Sequence, residues 1–191
     1  MIGISGHARS GKDTFGESLV KNLAKIGIKA KTHALATQLK IDIDFLTKGD
    51  FGISAFTKDD SEKKIIRPLL VGYGESWRKA NPDHWIEVLD SNLEPRRLTI
   101  ITDVRYENEA NYVLKNQGYL LNLKRTLLDG TTIGPANSEE QLNAPKVLAK
   151  ANFDLCWCTI DDLETIDKIV WSFINSELKD KIESWKATFP L

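Results

Sequence analysis

The chain has 191 residues with 26 basic and 27 acidic side chains, a net charge of −1 and two cysteines. That length accommodates one domain with a sizeable core, and a balanced charge without basic blocks excludes a dedicated nucleic-acid surface. No run approaches the roughly 20 apolar residues of a membrane span. No charged leader precedes the first strand, so a soluble, cytoplasmic protein without a membrane partner is expected.

Residues 1 to 5 read as a buried strand, followed by Gly6-His7-Ala8-Arg9-Ser10-Gly11-Lys12 and then a helical pattern. Gly-x-x-x-x-Gly-Lys is the phosphate-binding loop pattern: small residues let consecutive backbone N–H groups turn around an anion, and the helix dipole points at the same spot. Lys12 supplies a full charge, so the loop is expected to hold a nucleoside triphosphate, with Gly6, Arg9, Ser10, Gly11, Lys12, Asp13 and Thr14 around it. The hydroxyl that usually follows the lysine is displaced to Thr14, and Asp13 stands in its place. A carboxylate beside phosphate needs a metal or arginine between, so Asp13 is expected to face Mg²⁺ water, Arg9 or substrate.

Phe15, Leu19, Leu23 and Ile26 recur at helical spacing up to Gly27, a C-terminal stop. A second strand is expected near 28 to 34, then a helix through Leu35, Leu39, Ile43 and Leu46, and a surface loop over 48 to 61. Pro68 suits the first turn of a helix running on from Leu69, and Asp83 suits the cap of one through Trp85, Ile86 and Leu89. Leu98 to Thr102 reads as an interior strand carrying Asp103 and Arg105 to its carboxyl end. In a parallel sheet that end shares an edge with the phosphate loop, across about 90 residues of sequence. Asp103 then orients Mg²⁺ water, accepts from substrate, or caps the next helix. Glu109 either contacts a sugar or base or lies on a solvated helix face.

That helix ends at Gly118, a strand follows from Tyr119 to Lys124, and Arg125 opens a polar, irregular stretch to about Pro145, expected to act as a lid over 126 to 143. Ala144 to Ala151 reads as a helix and Phe153 to Cys158 as the last strand, with helices through Leu163–Phe173 and Leu178–Trp185. Cys156 and Cys158 read as buried free thiols. Alternating strands and helices give a three-layer α/β/α phosphate-loop kinase fold with a five-stranded parallel sheet, a helical acceptor-binding region over about 35–93 and the lid, in one domain spanning 1–191. Phosphoryl transfer needs positioning and charge neutralisation, which Lys12, Asp13, Asp103, Arg105 and Arg125 provide, with Arg67 and Arg78 as further cations for an acceptor phosphate. Arg96 and Arg97 read as surface salt bridges.

The series Ser10-Gly11-Lys12-Asp13-Thr14, Arg67 to Trp85 with Gly74 and Arg78, Asp103-x-Arg105-x-x-x-Glu109, and Arg125 followed by Ser138-Glu139 resembles the phage-type deoxynucleoside monophosphate kinases over about residues 1 to 175. The resemblance implies transfer of the ATP γ-phosphate, with Mg²⁺, to a deoxynucleoside monophosphate. It implies Arg67, Gly74, Trp85, Asp103, Arg105 and Glu109 around the acceptor, Thr14 and Asp13 toward the metal, and leaves a homodimer open. The chain departs from that pattern with Phe15 after Thr14 and with Ala136-Asn137 where a histidine is expected before Ser138. The Ser-Gly-Lys-Asp run also resembles animal-type phosphomevalonate kinase. A nucleotide-binding switch is the reading from another class, although no Asn-Lys-x-Asp motif is present.

Overall fold

The first strand, β1 (Ile2–Ser5), is buried along its whole length and forms the middle of a five-stranded parallel sheet. The computed structural model describes residues 1–158 and 162–191, and the chain divides into two compact units, residues 1–33 with 94–191 and residues 34–93. After β1 come α1 (Lys12–Lys25) and β2 (Ala30–His33), then the helices of the second unit, α2 (Ala36–Phe51), α3 (Asp60–Ala80) and α4 (His84–Ser91). The first unit resumes with β3 (Leu98–Val104), α5 (Glu107–Lys115), β4 (Tyr119–Thr126), α6 (Ser138–Leu148), β5 (Phe153–Cys158), α7 (Leu163–Ser176) and α8 (Ile182–Thr188).

The strand order is β2-β3-β1-β4-β5, so the chain builds to one side of β1 and then to the other. Such a reversal leaves a crevice at the carboxyl end of the central strand, where ligands of open α/β sheets bind. Ser5 pairs in register with Val104 on one side and Asn122 on the other, which brings Gly6 and Arg105 off the same edge, with Gly6 beside Leu123 of β4.

Alternation along β1 separates the two faces. Ile2 and Ile4 join Ile100, Leu121 and Leu123 against Phe15 and Leu19 of α1 and Val170 and Phe173 of α7. Gly3 points the other way, and a Cβ there would come within 2.8 Å of Val113 on α5, so that helix lies directly on the backbone. Layers of α1 with α7, sheet, and α5 with α6 result. At about 1.5–3 kcal/mol for each large aliphatic side chain fully buried, against about 0–1 kcal/mol for a surface ion pair, these cores hold the unit together.

Between Gly3/Ile101 and Ser5/Val104 the β1–β3 register shifts, three steps of β3 matching two of β1. The extra residue of such a bulge re-aims its neighbours. Ile100 and the Thr102 methyl face the α1 side, yet Val104 lies against Gly3 on the α5 side. Thr102 and Asp103 are the residues at the step.

In the second unit α3 begins eight residues before Pro68, corrected from the expected start near Leu69. Asp59 caps it, accepting from the Ser61 and Glu62 N–H groups at 2.8 and 3.0 Å, and its favourable first turn carries the helix through the proline. Trp85 is buried and donates its indole N–H to the Gly74 carbonyl at 3.3 Å, while a Cβ on Gly74 would meet Leu39 at 2.7 Å. Both residues therefore join the three helices of this unit.

The segment after Arg125 is also more regular than expected. β4 runs on to Thr126 and turns tightly, with Leu127 N–H to Thr131 C=O at 2.7 Å and Ile133 N–H to Arg125 C=O at 2.8 Å. α6 starts at Ser138 rather than near Ala144, because the Asn137 side chain accepts from Glu140 N–H at 2.9 Å. Cys156 is exposed and Cys158 half-buried, not buried as expected, since β5 is an edge strand.

Candidate active site

The loop between β1 and α1 has Gly6 at φ 137°, Arg9 at 66° and Gly11 at 84°, with Ser10 N–H bonded to His7 C=O at 3.1 Å. Left-handed residues alternating with right-handed ones turn successive N–H groups to one concave side and make an anion nest. Gly6 has no alternative here: a Cβ would lie 2.2 Å from the Leu123 carbonyl oxygen. Arg9 holds its strained backbone without that freedom, a cost of about 1–3 kcal/mol that accumulates at functional sites. The N-cap of α1 is Gly11, which has no side chain to cap it, and the first N–H groups of the helix face the same concavity.

Lys12 Nζ donates to the Gly6 and His7 carbonyls, both at 2.8 Å. Burial pushes its pKa down to about 8, aided by Arg105, against the upward pull of Glu140, Asp13 and Asp103. Four charged side chains from three different segments therefore act on this one ammonium. Asp13 accepts the Thr102 hydroxyl at 2.8 Å, and the other face of Thr102 packs its methyl where a Gly16 Cβ would be. A single β-branched residue at the bulge thus fixes both the carboxylate and the approach of α1 to the sheet.

Glu109 is buried and accepts the backbone N–H groups of Arg105 and Tyr106 at 2.7 and 3.0 Å. It lies on neither a solvated face nor an open one; its contact is with the peptide that carries Arg105. Arg105 reaches Glu140 at 3.8 Å, and Glu140 accepts from the Ala8 and Ala136 N–H groups at 3.2 and 3.0 Å. Burial raises the Glu140 carboxyl, but those two amides with Arg105 and Lys12 outweigh it and hold it below the ordinary carboxylate value. Tyr106 adds a second tie to α6 through its hydroxyl, which donates to Glu139 at 2.6 Å.

Arg125 lies at the end of β4 with Nη1 3.4 Å from the Arg9 carbonyl and its guanidinium 5.7 Å over the Trp157 ring. The structure thus brings Gly6, Arg9, Ser10, Gly11, Lys12, Asp13, Asp103, Arg105 and Arg125 to one edge, with Thr14 in the first turn of α1. Arg67, Gly74, Arg78 and Trp85 belong to the second unit: Arg67 is exposed, Arg78 half-buried, and Gly74 and Trp85 are buried. Arg97 is paired with Glu94 at 2.7 Å as a surface salt bridge. Thr102, Glu140 and Trp157 are contacts that the sequence left unmarked.

No protein-family model matches the chain, and no curated protein matches it. Among solved structures it is similar to shikimate kinase from Aquifex aeolicus, 15% identical, with 93% of this chain and 97% of that one covered and a TM-score of 0.49. It is also similar to a sugar kinase from a Janibacter species, 10% identical over 91% and 93% of the two chains, with a TM-score of 0.38. The chain's own features define the class: an α/β fold with a five-stranded parallel sheet of order β2-β3-β1-β4-β5, with a glycine-bounded loop of positive-φ residues between β1 and α1 at its switch point.

Proposed function

We propose that the protein is a phosphotransferase that moves the ATP γ-phosphoryl group to a nucleoside or deoxynucleoside monophosphate, giving ADP and the diphosphate. The observation that carries this reading is the single electrostatic neighbourhood of Lys12, in which Arg105, Glu140, Asp13 and Asp103 converge. An acceptor phosphate oxygen attacks the γ-phosphorus as the bond to the β,γ-bridging oxygen breaks, and the electron pair leaves with ADP. Lys12 and the loop amides hold the donor's outer phosphates, while Arg105 and Arg125 take the charge that spreads over the moving group. Glu109 holds the Arg105 backbone for this task.

Asp13 gives one carboxylate oxygen to the Thr102 hydroxyl and is followed by Thr14, while Asp103 acts on the same Lys12 ammonium as Asp13. Such an oxygen-only set suits Mg²⁺, which keeps several waters and is held largely by substrate phosphates. Bound there, Mg²⁺ would neutralise phosphate charge.

Because the Lys12 ammonium titrates near pH 8 in the unliganded protein, a bound polyphosphate must restore its proton at higher pH. ADP binding at pH 8.5 is expected to take up protons, seen as a dependence of calorimetric heat on buffer ionisation enthalpy, and affinity is expected to fall as pH rises above about 8.

The direct test is turnover with ATP and Mg²⁺ over all ribo- and deoxyribonucleoside monophosphates, with phosphomevalonate and no acceptor alongside. One or more nucleoside monophosphates should stimulate ADP formation. Stimulation by phosphomevalonate alone, or none by any acceptor, would sink the proposal. Arg105→Ala should raise the acceptor KM by about tenfold or more with a small change for ATP, since it removes a charge-assisted phosphate contact.

A further inference from the structure

Trp157 stands one residue before the end of β5 and belongs to the main core, with 7% of its surface exposed. Three contacts set it apart from core filling. Its indole N–H donates to the Ser10 carbonyl at 2.7 Å. Its six-membered ring closes on Gly11 so tightly that a Cβ there would fall 1.8 Å from Cζ2. The Arg125 guanidinium lies 5.7 Å over the ring while its Nη1 reaches Arg9 C=O at 3.4 Å.

The Ser10–Gly11 peptide is planar and trans, so its C=O and N–H point in opposite directions. Drawing the carbonyl toward the core indole turns the Gly11 N–H away from the core, toward the concave side of the loop. An indole has one donor and no acceptor, so the bond fixes the sense of the peptide and cannot be made to its N–H instead. The same ring sets where Arg125 can lie. A bulky aromatic at this point also requires residue 11 to be glycine, independently of its positive φ.

We infer that Trp157 is a positioning residue for the donor polyphosphate: it aims the Gly11 amide at the phosphate and makes the placement of Arg125 depend on the same loop peptide. The inference rests on the loop being a polyphosphate site, as proposed above, but not on which acceptor is used.

The test compares Trp157→Phe, which keeps a ring without the N–H, with Trp157→Leu, and reads the Kd of ADP and of inorganic pyrophosphate by calorimetry beside the thermal midpoint. Loss of one hydrogen bond should weaken both ligands about two- to tenfold in Trp157→Phe, with the acceptor KM unchanged. Trp157→Leu should lose more, and the Trp157→Phe/Arg125→Ala pair should lose less than the product of the single effects. Wild-type Kd values in Trp157→Phe, a change in acceptor KM alone, or losses that track the thermal midpoint rather than the N–H would overturn the inference. Should no acceptor be turned over by the wild-type chain, the transfer reading fails while these Kd values still decide the role of Trp157.

Discussion

Lys12→Ala is expected to lower phosphoryl transfer by about three orders of magnitude or more while leaving the thermal midpoint nearly unchanged or slightly raised. The two halves of that result have one cause. The ammonium is half-buried on carbonyl oxygens, and its pKa stands at about 8 instead of the usual 10.5, so the unliganded fold disfavours its charge. For a lysine lowered in this way the cost is fully present below about pH 8 and is relieved as pH rises toward the unfolded value. Removing the charge at neutral pH therefore relieves the fold of that penalty. Turnover and differential scanning calorimetry on the same sample check both halves, and normal turnover would contradict the donor-site assignment.

Gly6→Ala should be the most damaging small substitution in the loop. Its Cβ would sit 2.2 Å from the Leu123 carbonyl oxygen, a backbone atom of β4 that cannot rotate aside, at a φ of 137°. Strain and displacement together should cost about 3 kcal/mol or more, a drop of about 6–12 °C in midpoint for a chain of this size, and ADP affinity should fall as the loop moves. Gly134→Ala is the internal control, because among the described residues nothing lies within 4 Å of its added Cβ and its φ is not in the left-handed range. Denaturation of both variants decides the matter: Gly6→Ala within about 1 kcal/mol of wild type, with unaltered ADP binding, would mean that the loop does not need this conformation.

Much of the sheet was legible because buried parallel strands are continuous apolar runs between turn residues. Ile2–Ser5, Leu98–Val104, Tyr119–Thr126 and Phe153–Cys158 lie within a few residues of where the sequence put them. The turn between β1 and α1, with its positive-φ residues, was marked by glycine spacing, and the approach of Asp103 and Arg105 to Lys12 by their place at a strand end. What the sequence hid has identifiable reasons. A bulge at Thr102–Asp103 leaves no trace in a strand apolar on both faces, since there is no alternation whose phase could slip. Glu139 and Glu140 fell in the stretch expected to be a lid, yet Glu140 is buried on the Ala8 amide and Glu139 takes the Tyr106 hydroxyl. Trp157 was marked only as part of the last strand, and its contact with Gly11 joins residues far apart in sequence. Asp59 and Asn137 cap α3 and α6, which start earlier than the sequence put them, because each fell inside a stretch expected to be a loop.

Hydrogen exchange read residue by residue, with and without saturating ADP, tests the central claim most directly. Slower exchange at the amides of residues 8–14, above all Gly11 and Lys12, is the predicted result. ADP that saturates the protein by calorimetry yet leaves those amides exchanging at their unliganded rate would contradict it.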